Sequence, residues 1–415
     1  MITGKKHLAC GLIGKKLSHS FSPQIHGELA DYSYRLFELA EEEVGKFITS
    51  GDFDALNVTI PYKKTVIPYL DEISDEAVRI GAVNTVVKTE SGALRGENTD
   101  YYGLFHTVKA SGIKVEGKNV LILGTGGASL TAKCVCEDMG AGKISFLSRI
   151  GEINYENVYD LCRDTEVIIN CTPVGMYPNN GVSPIKLKNL PLCRGVIDMI
   201  YNPAKTKLLL EAEELEIPHV NGLYMLVAQA KRASELFLGE LIDDGEIDRI
   251  ISLISSATEN IILVGMPGCG KTTVALALAK LCGRQVVDTD QMISEKCRRT
   301  PAEIINVDGE EAFRLIETEI LAEAGKMSGV IISTGGGVVT RERNRDLLRQ
   351  NGKIVFIKRP LEALATADRP LSKNLKELYE VRLPLYCHFS DVEGDNVTTP
   401  EECAETILNK LQFKN

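Results

Sequence analysis

The chain has 415 residues, 44% of them apolar, and a formal net charge of −10, which fits about two to three domains with ample core. Acidic charge is spread along it without a basic block, so neither nucleic acid nor an anionic membrane surface is expected as a partner. There is no long uncharged apolar run and no leader-like segment, so a cytoplasmic location is expected. Eleven cysteines fall without paired C-x-x-C spacing or nearby histidines, which points to reduced thiols and to no zinc site.

Up to about Thr99, short β-like runs (Leu8 to Ile13, Ala55 to Thr59, Ala82 to Val87) alternate with helical stretches, as in an α/β sheet. Ser22 followed by Pro23 predicts a helix start, with Ser22 as N-cap and proline at the first helical position. Strand patterns recur at Val120 to Leu123, Lys143 to Leu147, Val167 to Asn170 and Gly195 to Met199, the rhythm of a doubly wound nucleotide-binding domain. The first of these breaks into a turn at Gly124, Gly126 and Gly127, the arrangement that sets a dinucleotide pyrophosphate on a helix N-terminus. From Gly239 the sequence turns acidic and polar. There Ile247, Ile250, Ile251 and Ile254 have i, i+3, i+4, i+7 spacing, which predicts a helical linker ahead of the next strand, Ile261 to Val264.

Four polar clusters in the first half lie where strand patterns end: SHSFSP (Ser18 to Pro23), NVTIPYK (Asn57 to Lys63), GAVNT (Gly81 to Thr85) and GENTD (Gly96 to Asp100). Their hydroxyls, amides, one lysine and one carboxylate suit a hydroxylated, carboxylate-bearing ring better than a metal. Lys63 and Asp100 are the acid/base candidates, because hydride transfer at a carbon bearing oxygen needs a proton moved to or from that oxygen.

With GTGGA, NCTPVGM (Asn170 to Met176), DMIYNP (Asp198 to Pro203) and NGLYMLVAQA (Asn221 to Ala230) following in order, residues 1 to about 238 resemble the shikimate dehydrogenase family. The resemblance implies that Ser20, Ser22 and Tyr201 hold a substrate carboxylate and that Thr59, Asn84, Asp100 and Gln229 bind ring hydroxyls. It makes Lys63 and Asp100 the catalytic pair, and it implies NADP(H) on Gly124, Gly126, Gly127, Ala128, Ser148, Arg149, Met199 and Gly222. The helix carrying Gln229 is expected to return to the N-terminal domain. Arg149 is the residue for the 2′-phosphate of NADP, although Ile150 and Glu152 follow it where a second basic residue is usual.

In the second half Gly265, Gly270, Lys271 and Thr272 fit the nucleoside-triphosphate loop G-x-x-x-x-G-K-[ST], with Lys271 reaching the β/γ-phosphates and Thr272 placed for Mg²⁺. Asp288 and Asp290 follow at a strand end, where carboxylates order Mg²⁺ waters or accept a hydroxyl proton. Arg314 and Glu317 stand one turn apart on a predicted helix, a spacing equally consistent with a surface ion pair of little worth. The triplet Gly335 to Gly337 follows an apolar run and lets backbone approach a ligand. Residues from about 258 to 415 resemble shikimate kinases in length and motif order. That resemblance assigns ATP to Gly268, Gly270, Lys271, Thr272, Thr273 and Arg369, and Mg²⁺ to Thr272 and Asp288. It assigns shikimate to Asp290, Arg314, Gly336, Gly337 and Arg382. Lys271, Asp290 and Arg369 then carry the transfer.

Taken together, the chain is expected to be α/β throughout, with a substrate-binding domain over residues 1–100 plus about 222–240. A Rossmann-like NADP domain is expected over 101–221, a linker over 241–257 and a P-loop kinase domain over 258–415. The expected function is bifunctional: reduction of 3-dehydroshikimate to shikimate with NADPH, then phosphorylation of shikimate with ATP. The alternative is a quinate/shikimate dehydrogenase whose kinase half binds ATP in a regulatory role.

Overall fold

A computed structural model describes residues 8–17, 20–364 and 375–412. The chain divides into two compact units. The first comprises residues 1–174, 183–201 and 211–252, and the second 175–182, 202–210 and 253–415.

The first unit holds two sheets. One is six-stranded, built from β1 (Ala9–Gly14), β2 (Ser33–Glu38), β3 (Ala55–Val58), β4 (Glu72–Ile73), β5 (Thr85–Lys88) and β6 (Leu94–Glu97) in the order β2-β1-β3-β5-β6-β4. β1 runs parallel to β2 and β3, whereas β5 is antiparallel to both β3 and β6. The central strand β3 is buried along its whole length, as a strand covered on both faces must be. Asn57 at its end is buried with it, so a polar amide is fixed at the sheet's C-terminal edge.

The other sheet is fully parallel: β7 (Asn119–Leu123), β8 (Lys143–Leu147), β9 (Val167–Asn170), β10 (Gly195–Asp198) and β11 (His219–Val220), in the order β11-β10-β9-β7-β8. The order reverses beside β7, so the crevice for a ligand opens at the end of the strand that carries the glycine turn. The helix Leu223–Leu238 returns to the first sheet's side of this unit. Ser234 Oγ lies 2.6 Å from Tyr32 OH, and Phe237 stacks on His26 at 5.8 Å.

One expectation about local structure fails. Ser22 does not cap the first helix but opens it (Ser22–Leu29), with Phe21 at the N-cap position and no side-chain cap. The reason is local, since Ser20 Oγ accepts from the Ser22 backbone N–H at 3.2 Å and donates to the Ser22 hydroxyl at 3.0 Å. The two serines are thereby turned toward each other instead of along the helix.

The second unit is built on a parallel sheet of β12 (Asn260–Val264), β13 (Val286–Asp288), β14 (Ile331–Ser333), β15 (Gly352–Lys358) and β16 (Val392–Asp395), ordered β13-β14-β12-β15-β16. β12 is central and buried at every position. The unit also takes in its two short segments from before residue 211: Lys207 pairs with Asp346 at 2.6 Å, Tyr177 OH donates to Gly325 O at 3.1 Å, and Lys205 N donates to Gln350 O at 2.8 Å. The isoleucine stripe lies on a helix, Gly245–Thr258, with Ile247, Ile250 and Ile254 buried and Ile251 half-buried.

All eleven cysteines are free. Among the described residues no helix is long and apolar enough to cross a membrane, and no group of three or more His, Cys, Asp or Glu could hold a metal ion.

Candidate active sites

In the first unit a cavity of about 610 Å³ is lined by Ser20, Ser22, Thr59, Lys63, Asn84, Asp100, Tyr201 and Gln229, together with Ala128, Met199 and Gly222. The substrate-contact and acid/base candidates of the first half therefore converge on one space, with three of the cofactor candidates on its wall. Lys63 Nζ donates to Asp100 Oδ2 at 2.6 Å, the two side chains being 27% and 17% exposed. Asp100 sits in the first turn of the helix Thr99–Ser111, whose Asn98 cap accepts from Tyr101 N at 3.4 Å. A carboxylate in that place is favoured by the helix dipole.

Beneath the cavity runs a buried chain of hydrogen bonds. Tyr34 OH donates to Asn57 Oδ1 at 2.7 Å, and Asn57 Nδ2 donates to Thr85 Oγ1 at 3.2 Å. Thr99 N donates to Asn84 Oδ1 at 2.7 Å, Asn84 Nδ2 donates to Thr99 Oγ1 at 3.1 Å, and Thr99 Oγ1 reaches Gln229 Oε1 at 3.3 Å. Asn84 and Gln229 are thus oriented by partners behind them, and a satisfied buried network specifies one arrangement. The sequence clusters contained Asn57, Thr85 and Thr99, but nothing in spacing singled them out as supports.

His26 closes the network from behind. It stacks on Tyr34 at 4.0 Å, its Nδ1 lies 2.6 Å from Tyr32 OH, and its pKa is pushed down to about 3 by burial, partly offset by a hydrogen bond with Asn57. It is neutral at physiological pH. Burial raises the Tyr201 hydroxyl above its ordinary value, so it is held as a proton donor facing the cavity.

The cofactor candidates other than Met199 and Gly222, which follow β10 and β11, gather at the ends of β7 and β8. Gly124 N donates to Leu147 O at 2.8 Å, which brings Ser148 and Arg149 beside the glycine turn. Gly124 has φ +103°, a conformation open to glycine. Gly126 is the N-cap of the helix Gly127–Asp138 and provides no side-chain cap, which leaves first-turn N–H groups for an anion. Arg149 is exposed and has no hydrogen-bond or ion-pair partner among the described residues. These features fit a dinucleotide carrying an extra phosphate on its ribose.

In the second unit β12 runs into the phosphate loop. Lys271 is buried, and its ammonium donates to Gly265 O at 2.9 Å and Met266 O at 3.1 Å, so reaching a nucleotide's phosphates requires it to leave those carbonyls. Thr272 Oγ1 donates to Asp288 Oδ2 at 3.2 Å and lies 3.3 Å from Ser333 Oγ. A hydroxyl and a carboxylate meeting beside the loop fit Mg²⁺, which keeps several waters and binds through few protein groups plus phosphate oxygens. Gly268 and Thr273 lie in the same loop and first helical turn. Asp288 also caps the helix Thr289–Cys297, accepting from Asp290 N at 3.0 Å.

The glycine triplet packs where no side chain fits. A Cβ on Gly335 would meet Glu317 Oε1 at 2.7 Å and Asp290 Oδ1 at 3.1 Å, one on Gly336 would meet Pro267, and one on Gly337 would meet the Arg314 guanidinium. Arg382 Nη1 donates to Gly336 O at 3.0 Å, and Tyr386 OH donates to the same oxygen. Asp290, Arg314, Gly336, Gly337 and Arg382 are therefore neighbours around the glycine triplet. Arg314 and Glu317 are not a surface pair: they are 5% and 1% exposed, and Arg314 Nη1 donates to Glu317 Oε2 at 2.8 Å. Burial raises the Glu317 pKa, with Asp290 adding to the rise and Arg314 opposing it. Glu317 Oε1 is buried without a hydrogen-bond partner, so sequence reasoning missed a carboxylate of this site that only its burial reveals. Arg369 lies outside the described residues.

Comparison with known proteins finds two families in the chain. Residues 12–86 match the family "Shikimate dehydrogenase substrate binding domain", and residues 267–412 match the family "Shikimate kinase". The shikimate dehydrogenase (NADP(+)) of Clostridium beijerinckii is 38% identical over 247 residues, which are 55% of this chain and 90% of that protein. The crystal structure of shikimate dehydrogenase 1 from Peptoclostridium difficile is similar with a TM-score of 0.55 and 39% identity, covering 59% of this chain and 96% of that one. The enzyme from Thermus thermophilus, in complex with NADP(H) and shikimate, gives a TM-score of 0.54 and 28% identity over 59% of this chain and 98% of its own. Two families are thus joined in one sequence: the chain belongs to the shikimate dehydrogenase family and carries a shikimate kinase domain C-terminal to that part.

Proposed function

We propose that the first half reduces 3-dehydroshikimate to shikimate with NADPH and that the second half phosphorylates shikimate with ATP, both in the cytoplasm. The observation that carries this reading is the pairing of Lys63 with Asp100 at 2.6 Å in a cavity that also collects Ser20, Ser22, Thr59, Asn84, Tyr201 and Gln229. The hydroxyl donors of this lining suit a carboxylate, and its amides suit ring hydroxyls.

Gly124 to Ala128 would hold NADPH, with Arg149 at its 2′-phosphate, and the bound cofactor would supply the hydride. Lys63 donates a proton to the carbonyl oxygen as charge develops there. Asp100 keeps the ammonium aimed into the cavity and accepts from a neighbouring hydroxyl. Asn84 and Gln229, fixed by Thr99, orient the ring so that the reacting carbon faces the cofactor side of the cavity, the kind of positioning that lowers a barrier without new chemistry.

In the kinase half Asp290 accepts the proton of the attacking hydroxyl, while Arg314 and Arg382 hold the carboxylate and Gly336 and Gly337 pack on the substrate through backbone. Lys271 neutralises charge on the transferring phosphate, and Thr272 with Asp288 would hold Mg²⁺, which would offset charge on the phosphate oxygens. The catalytic role of Arg369 belongs to the same proposal.

Two assays on the purified chain test it. NADPH oxidation should require 3-dehydroshikimate, and ADP release should require shikimate and Mg²⁺. NADPH oxidation with quinate-derived ketone alone, or ADP release that ignores shikimate, would contradict the assignment.

A further inference from the structure

Arg359 directly follows β15, the strand hydrogen-bonded beside β12, so it emerges at the same sheet edge as the phosphate loop. Its Nη1 lies 3.7 Å from the point that a Cβ on Gly270 would occupy. Gly270 is the loop's second glycine, held at φ +92°, and it is the N-cap of the helix Lys271–Cys282 without a side-chain cap. On the same side Asn396 Nδ2 donates to Cys269 O at 2.8 Å and is buried, which fixes the loop against the end of β16. The loop is therefore a held frame, and Arg359 is placed against it.

The pairing of neighbouring cations makes Arg359 distinctive. Lys358, one residue earlier, is neutralised by Glu393 at 2.5 Å. Lys271 is turned onto its own loop carbonyls. Arg359 is half-buried and makes no hydrogen bond or ion pair with any described residue. A guanidinium partly removed from water without a carboxylate, beside uncapped helix N–H groups, is matched to phosphate oxygens, which it meets through two parallel N–H bonds.

We propose that Arg359 is a nucleotide-binding residue of the kinase site, pairing with the α- or β-phosphate oxygens of the bound nucleotide. The proposal rests on the kinase reading only in that the loop must bind a nucleoside di- or triphosphate. Arg359 supplies from the body of the sheet a fixed positive charge on the phosphate chain.

The test is calorimetric binding of Mg²⁺-ADP and of adenosine to the full chain and to its Arg359→Ala and Arg359→Lys variants, with thermal unfolding of each to verify folding. Arg359→Ala should weaken ADP about tenfold or more, the usual effect of losing a hydrogen bond to a charged group, and Arg359→Lys should weaken it less. Adenosine affinity should be unchanged. Unchanged ADP affinity in a folded Arg359→Ala variant overturns the proposal. Equal weakening of ADP and adenosine also overturns it, because the arginine would then act on the base. Failure of the unsubstituted chain to bind ADP overturns the kinase reading itself, a result distinct from either.

Discussion

Gly103 and Gln229 meet backbone to side chain where two helices touch: a Cβ on Gly103 would lie 2.9 Å from Gln229 Cβ and 2.7 Å from Met225 O. Gly103 stands one turn after Asp100 on the helix Thr99–Ser111, and Gln229 is on Leu223–Leu238. The absence of one side chain therefore sets the distance between a catalytic candidate and a substrate-binding candidate. Gly103→Ala should force the helices apart, lowering stability by about 1–3 kcal/mol as overpacked cores do. It should also raise KM for 3-dehydroshikimate while leaving the kinase unaffected. Urea unfolding and both kinetic assays check this; an unchanged dehydrogenase KM with full stability would mean that the close approach sets nothing.

Lys63→Ala should leave binding of 3-dehydroshikimate largely intact and cut turnover by about two to four orders of magnitude, the range for losing general acid/base help. Kinase turnover should be unchanged. Stopped-flow NADPH oxidation separates kcat from KM, and near-normal kcat would remove Lys63 from the mechanism.

How much of this was legible in the sequence depends on what each residue needs from its neighbours. The strand Val167–Asn170 lies where its apolar pattern placed it, because a strand buried on both faces announces itself locally, and the edge strand Lys143–Leu147 lies where expected although only Leu147 is buried. The antiparallel direction of β5 was not legible, since strand direction is set by the partner and the local pattern is the same either way. The Arg314–Glu317 spacing reads alike for a solvated pair and a buried one, and tertiary packing under the glycine triplet decides between them. Ser20, Ser22, Asn84 and Asp100 were legible as candidates because their clusters close strand patterns; that Thr99 and Tyr34 orient the amides beside them is a property of the assembled sheet.

Acid should destabilise the first unit through His26. Its folded pKa of about 3 lies below the ordinary 6.5, with burial the main cause, so between those values the unfolded chain binds more protons than the folded one. Stability from this group is thus complete above pH 6.5 and declines as pH falls, by at most about 1.4 kcal/mol per pH unit. His26→Gln, which retains a polar partner for Tyr32, should flatten that dependence. Denaturant midpoints measured from pH 7 to pH 4.5 provide the check, and an equal slope in both proteins would show that other groups dominate.

Arg149→Ala should lower the preference for NADPH over NADH about tenfold or more, because a bond to a charged group contributes ~1.5–3 kcal/mol and each ~1.4 kcal/mol is a decade. The ratio of kcat/KM for the two cofactors measures it. An unchanged ratio would mean that the 2′-phosphate is held elsewhere.

The most direct measurement is a one-pot reaction of 3-dehydroshikimate, NADPH, ATP and Mg²⁺ with the intact chain, resolving shikimate and shikimate 3-phosphate over time. Two active halves predict shikimate first and its phosphate after it, with Lys63→Ala making phosphate only when shikimate is supplied and Lys271→Ala stopping at shikimate. Accumulation of shikimate without phosphate in the unsubstituted enzyme would contradict the account and leave the second half as a nucleotide-binding regulator.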